Sequence, residues 1–134
     1  MLRRTVSELP APTRELSWHY QQLNPAEVDL GFAGRQPPAR PLHRAIAALT
    51  PDAELHLEHA DGRWRLRDEQ GNLIGRLAAS YTPPVGMACV RVRVAAIIVR
   101  YRSDSEPQYL PRIRCERWEV VLPELVFAPA TGQE

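Results

Sequence analysis

Hydrophobic and polar residues alternate with a period of two along much of this chain. The longest such run is Met87 to Arg102, MACVRVRVAAIIVRYR. Val90, Val92 and Val94 alternate with Arg91, Arg93 and Ala95, as a strand with one buried and one wet face requires. Ala96 to Val99 are apolar on both faces, which predicts a covering layer or a bulge near Ala95-Ala96. A second long strand is expected from Arg112 to Val121 and pairs with the first as a hairpin. Pro123 ends or bends it, and Leu125 to Phe127 add a last edge piece.

The same pattern predicts the other elements. Leu16, Trp18 and Tyr20 alternate with Ser17, His19 and Gln21 in a first strand, with Trp18 inward, and Asn24-Pro25 breaks it. Glu27 to Phe32 reads as a second short strand. Leu42, Ala45, Ile46 and Leu49 carry the i, i+3, i+4, i+7 spacing of a short helix, with Pro41 suited to its first turn and Thr50-Pro51 stopping it. A meander follows. Glu54 to His59 leads through the Asp61-Gly62 hairpin turn to Arg63–Arg67, then through DEQGN to Leu73–Ala79. Trp64 and Leu66 point inward there, as Trp118 does on the last long strand. About eight short strands, one helix and frequent turns define a mostly β fold, a small antiparallel barrel or curled sheet.

Length permits one domain, expected over residues 15–128, with residues 1–14 as a flexible Pro-rich segment and 129–134 as a flexible tail. No run approaches a membrane span and the start carries no signal peptide, so the expected location is cytoplasmic, with no membrane partner. Every basic residue is arginine. Residues 60–117 hold eleven arginines against six acids, whereas residues 1–59 hold six against seven and residues 118–134 hold none against three. This asymmetry permits a polyanionic partner without demanding one. Cys89 and Cys115 fall on the two long strands, near each other if those strands pair. They read as buried reduced thiols, with no further ligands at metal-binding spacing.

Catalytic constellations are missing. His56 and His59 point to opposite faces of a strand, Glu119 and Glu124 read as edge-facing, and no serine has a G-x-S-x-G context. No cofactor is expected. The one combination with chemistry is arginine beside tyrosine: Arg65, Arg67, Arg76, Arg91 and Arg93 on an outer face, with Tyr81 and Tyr101 near. Single-stranded nucleic acid needs that pairing, cations for phosphates and aromatic faces for bases. The competing explanation is that outward strand positions must be polar, and this chain fills them with arginine.

Four segments carry a resemblance: VDLGFAGR (Val28 to Arg35), GNLIGRLA (Gly71 to Ala78), the Pro-Pro-Val-Gly connector and CERWEVVLPELVF (Cys115 to Phe127). Together they resemble the C-terminal end of long bacterial RecQ-type ATP-dependent DNA helicases, from about Trp18 onward. LIGRLA is more weakly similar to HIRAN domains, small β-barrels of DNA-remodelling helicases that bind single-stranded DNA, notably its 3′ end. Only the polar turn followed by Ile-Gly and small apolar residues matches that second pattern. The resemblance implies a non-catalytic accessory domain, since no G-x-x-x-x-G-K-S/T loop is present to hold ATP. Its partners would be single-stranded or junction DNA and the helicase core of the parent polypeptide. Arg76, Arg91 and Arg93 would hold phosphates, with Arg35 and Tyr81 at the rim. The alternative is a protein-interaction module docking through its apolar C-terminal strand.

Overall fold

The computed structural model describes residues 18–130. The expected flexible segment 1–14 and most of the expected tail lie outside them. Six strands form one antiparallel sheet in the order β1-β6-β5-β2-β3-β4: β1 His19–Gln22, β2 Glu54–Ala60, β3 Arg63–Arg67, β4 Leu73–Arg76, β5 Met87–Tyr101 and β6 Arg117–Pro129. The one α-helix among the described residues, α1, spans Pro41–Ala47 and buries Ile46. A mostly β curled sheet with one short helix is therefore the architecture, with six strands in place of about eight.

One predicted strand is missing. Asn24 caps a 3-10 turn at Pro25–Glu27 and a second 3-10 turn occupies Ala33–Arg35, so between Glu27 and Phe32 only Val28 is paired, in an isolated bridge to Leu77. That bridge matters. Asp29 N–H donates to the Arg76 carbonyl at 2.9 Å and Ala78 N–H to the Glu27 carbonyl at 2.9 Å, tying the segment after β1 to the far edge of the sheet. The sheet curls until its two edges are linked there, without closing a continuous ladder.

The turn chemistry follows the residues. Asp61 and Gly62 both take positive φ, 55° and 75°, which makes the two-residue β2–β3 turn whose twist suits a hairpin. In the β3–β4 turn, Asp68 is buried and accepts from the backbone N–H groups of Gln70 and Asn72.

The long hairpin β5–β6 is the spine. Its register shifts between Val94 and Ala96, so Ala95 is the extra residue of the expected bulge. A second shift, between Cys89 and Arg91, turns Val90 outward, and it is 53% exposed where alternation predicts burial. β6 starts later than expected and does not stop at Pro123, which sits inside it opposite Val94. The Pro123 carbonyl faces the β1 side, accepting from Leu23 N–H at 3.0 Å. Its missing N–H therefore falls where β1 ends, and no ladder bond to β5 is lost. Leu125 to Phe127 are not an edge piece: they lie between β1 and β5, each no more than 4% exposed. Trp18 and Tyr20, expected inward, are 44% and 62% exposed, Trp18 just before the terminal strand of the sheet and Tyr20 on it.

The core is one cluster, with Phe127, Leu125, Leu66, Leu77, Ile74 and Ile46 at its centre. Cys89 pairs in register with Phe127 near one end of the hairpin, whereas Cys115 precedes β6 at the other. The two thiols are thus far apart, free, and raised in pKa by burial.

Candidate anion-binding cleft

Trp118 anchors one wall of the principal cleft. It is 2% exposed, and its indole N–H donates to the Leu30 carbonyl at 2.8 Å. Gly34 packs so closely that an added Cβ would stand 2.6 Å from the Trp118 ring. Arg114 N–H donates to the Gly34 carbonyl at 2.7 Å, which draws the chain before β6 onto the same loop. Around this wall, residues 25–31, the β3 and β4 arginines, the far end of β5 and the β5–β6 connector enclose about 720 Å³. That is the size range of a pocket for a small ligand or one nucleotide unit.

Five arginines line the cleft (Arg35, Arg63, Arg76, Arg100 and Arg112) against three acids, Asp29, Asp104 and Glu106. Its lining carries a surplus of two positive charges. Asp29 is the hub. Its Oδ2 accepts from Arg35 Nη2 at 2.6 Å and from Arg76 Nε and Nη2 at 3.0 and 2.8 Å, with Arg63 Nη2 at 3.7 Å. Burial pushes the Asp29 carboxyl up, but the hydrogen bonds from Arg35 and Arg76 outweigh it and hold its pKa below the ordinary value. Arg76 also lies over the Phe32 ring, 5.5 Å from its centroid. The Nε atoms of Arg63 and Arg100, like that of Arg93 outside the cleft, are buried without a hydrogen-bond partner among the described residues. Tyr109 stands at the mouth, 56% exposed.

The predicted site residues divide into two groups. Arg35 and Arg76 line the cleft together, whereas Arg91, Arg93 and Tyr81 do not. Arg91 donates to Glu54 at 2.6 and 3.0 Å, and Arg93 to Glu124 at 2.6 Å, so each is matched by a carboxylate on a neighbouring strand. The Arg91 hydrogen bond lowers the Glu54 pKa, as Arg67 and Arg65 lower that of Glu58. Tyr81 is half-buried against the core and donates to Gln21 Oε1 at 2.6 Å. Burial pushes its pKa up to about 12. It is a brace between β4 and β1, not an open stacking surface. Glu119 and Glu124 do not meet: Glu124 is opposite Arg93 and Glu119 opposite Val99.

Of the fourteen described arginines, seven lie within 4.0 Å of a described carboxylate: 35, 63, 65, 67, 76, 91 and 93. Of the remaining seven, five fall between residues 100 and 117, beside the exposed Tyr101 and Tyr109. Sequence reasoning missed Arg63, Arg100, Arg112 and Tyr109. The available signal was the outward glutamates Glu54, Glu58 and Glu124 on the strands beside Arg91, Arg93, Arg65 and Arg67. No group of three or more His, Cys, Asp or Glu is arranged to hold a metal, and no helix is long and apolar enough to cross a membrane, among the described residues. No family model, curated protein or solved structure matches this chain.

Proposed function

We propose that this chain is a non-catalytic DNA-binding domain, an accessory to a DNA helicase, that seats single-stranded or junction DNA in the arginine cleft. One observation carries the binding: five of the seven described arginines without a carboxylate partner among the described residues gather at the cleft end of the β5–β6 hairpin, together with two exposed tyrosines. Arg100 and Arg112 hold phosphates, and Tyr109 stacks on a base at the mouth. Support for the helicase setting comes from the segments Val28–Arg35, Gly71–Ala78 and Cys115–Phe127. The contribution of Arg91 and Arg93 is secondary, because their charge is already matched.

The test is anisotropy of a labelled single-stranded oligonucleotide at two salt concentrations. Arg100→Gln with Arg112→Gln removes about 1.4 from the log-log salt slope, two phosphates at about 0.7 each, whereas Arg91→Gln with Arg93→Gln leaves the slope nearly unchanged. The reverse ranking, or no binding at low salt, rejects the cleft.

A protein-docking module is the second reading, and β1 favours it: a terminal strand carrying exposed Tyr20, with exposed Trp18 just before it. Docking by strand addition through Leu122–Phe127 is not open to the chain. β5 pairs along that whole segment and β1 along Glu124–Phe127.

A further inference from the structure

The guanidinium groups of Arg35, Arg63 and Arg76 converge on the Asp29 carboxylate. We propose that Arg35, Arg63 and Arg76 form a second phosphate subsite of the cleft, with Asp29 as its resident competitor. This inference rests on the cleft being the DNA-binding site.

Asp29 receives more donors than one ion pair requires. Its Oδ2 takes Arg35 at 2.6 Å and both nitrogens of the Arg76 fork at 2.8 and 3.0 Å; Arg63 stands at 3.7 Å, and Gly31 N–H reaches Oδ1 at 3.3 Å. Convergent forks with a backbone N–H suit the several oxygens of a phosphate, which a carboxylate meets only in part. Three cations against one carboxylate leave a surplus of two. The arginine side chains are 25–29% exposed and line the cleft, so the cluster opens onto the space where Arg100 and Arg112 stand. Asp29 is pinned by its backbone N–H to the Arg76 carbonyl, so a phosphate competes with its side chain alone and must exchange the hydrogen bonds that Arg35, Arg76 and Gly31 give the carboxylate. A phosphate entering the cradle exchanges with that carboxylate or sits beside it against repulsion. In both cases Asp29 weakens DNA binding and speeds release.

The experiment compares the wild-type chain with Asp29→Asn and Asp29→Glu, by oligonucleotide anisotropy at two salt concentrations. Removing one negative charge a few ångström from a phosphate tightens binding on the order of tenfold. Each additional phosphate held by the protein steepens the salt slope by about 0.7. Asp29→Glu keeps the charge and binds as the wild type does. Unchanged or weaker binding by Asp29→Asn, with Arg100 and Arg112 still required, overturns the competitor and leaves the DNA-binding reading standing. Loss of that Arg100 and Arg112 dependence strikes at the DNA-binding reading instead. Inorganic phosphate supplies the independent arm: it raises the melting temperature of Asp29→Asn more than that of the wild type. Should Asp29→Asn not fold, phosphate that restores its fold supports the cradle, and phosphate that does not overturns it.

Discussion

Asp29 and Arg76 stand 47 residues apart in sequence, yet Arg76 donates to one Asp29 oxygen through both Nε, at 3.0 Å, and Nη2, at 2.8 Å. The pair lies beside the Val28–Leu77 bridge, the only pairing between the segment after β1 and the β4 side among the described residues. The same carboxylate thus fastens the curl of the sheet and sets the charge of the cleft.

The fastening has an acid signature. Because Arg35 and Arg76 hold the folded Asp29 pKa below its ordinary 3.8, its stabilisation is complete above that value and is lost as pH falls through the folded pKa. Asp29→Asn costs about 1–3 kcal/mol near neutral pH, and its deficit shrinks as pH falls below about 4. Urea unfolding of both chains across that range measures it. A deficit independent of pH rejects the ionic account.

Stacking and phosphate binding separate in the salt response. Tyr109→Ala weakens single-strand binding by about 1–3 kcal/mol with the slope unchanged, because stacking releases no counterions. Arg112→Gln lowers the slope by about 0.7. Anisotropy at several salt concentrations distinguishes the two, and a slope change in Tyr109→Ala removes it from the stacking role.

Gly34→Ala is the packing test. Its new Cβ would stand 2.6 Å from the Trp118 ring, an overlap that rigid backbone and a buried indole relieve only by moving apart. The expected loss is about 1–3 kcal/mol, with a shifted tryptophan emission maximum. An unchanged melting temperature means the loop yields freely and the cleft wall is softer than its packing indicates.

Truncation at Pro123 unfolds the domain. Leu125 and Phe127 are 0% and 1% exposed, and removing them takes two side chains from the core centre and strips β1 of its partner in the sheet. Circular dichroism shows the loss directly. A truncated chain that stays folded contradicts the placement of β6 between β1 and β5.

Period-two alternation was sufficient to find β2, β3, the start of β4, both long strands and the Ala95 bulge, because each buries one face against a single core. It failed where local backbone chemistry overrides side-chain pattern. Asn24-Pro25 and Ala33-Gly34 form 3-10 turns that fold Glu27–Phe32 off the ladder. Pro123 reads as a stop, yet the N–H it lacks would face the β1 side, so its ladder to β5 is kept. Tyr20 alternates correctly but sits on a terminal strand and is 62% exposed among the described residues. For the cleft, the type of residue was legible and the choice among arginines was not. Arg91 and Arg93 have their glutamates on other strands, so only the folded arrangement shows that their charge is matched, and that Arg100 and Arg112 have no carboxylate within 4.0 Å among the described residues.

The pairing of β1 with β6 sets an order of events during synthesis. His19 leaves the ribosome long before Phe127, its partner in the sheet, and the strand that joins β1 to β5 is made last of the six. Until then β1 has no neighbour and β5 exposes an unpaired edge, the condition under which nascent chains recruit chaperones or aggregate. Such long-range pairing also slows folding. The arginine cleft, whose wall is Trp118 at the start of β6, is therefore among the last features of the domain to form.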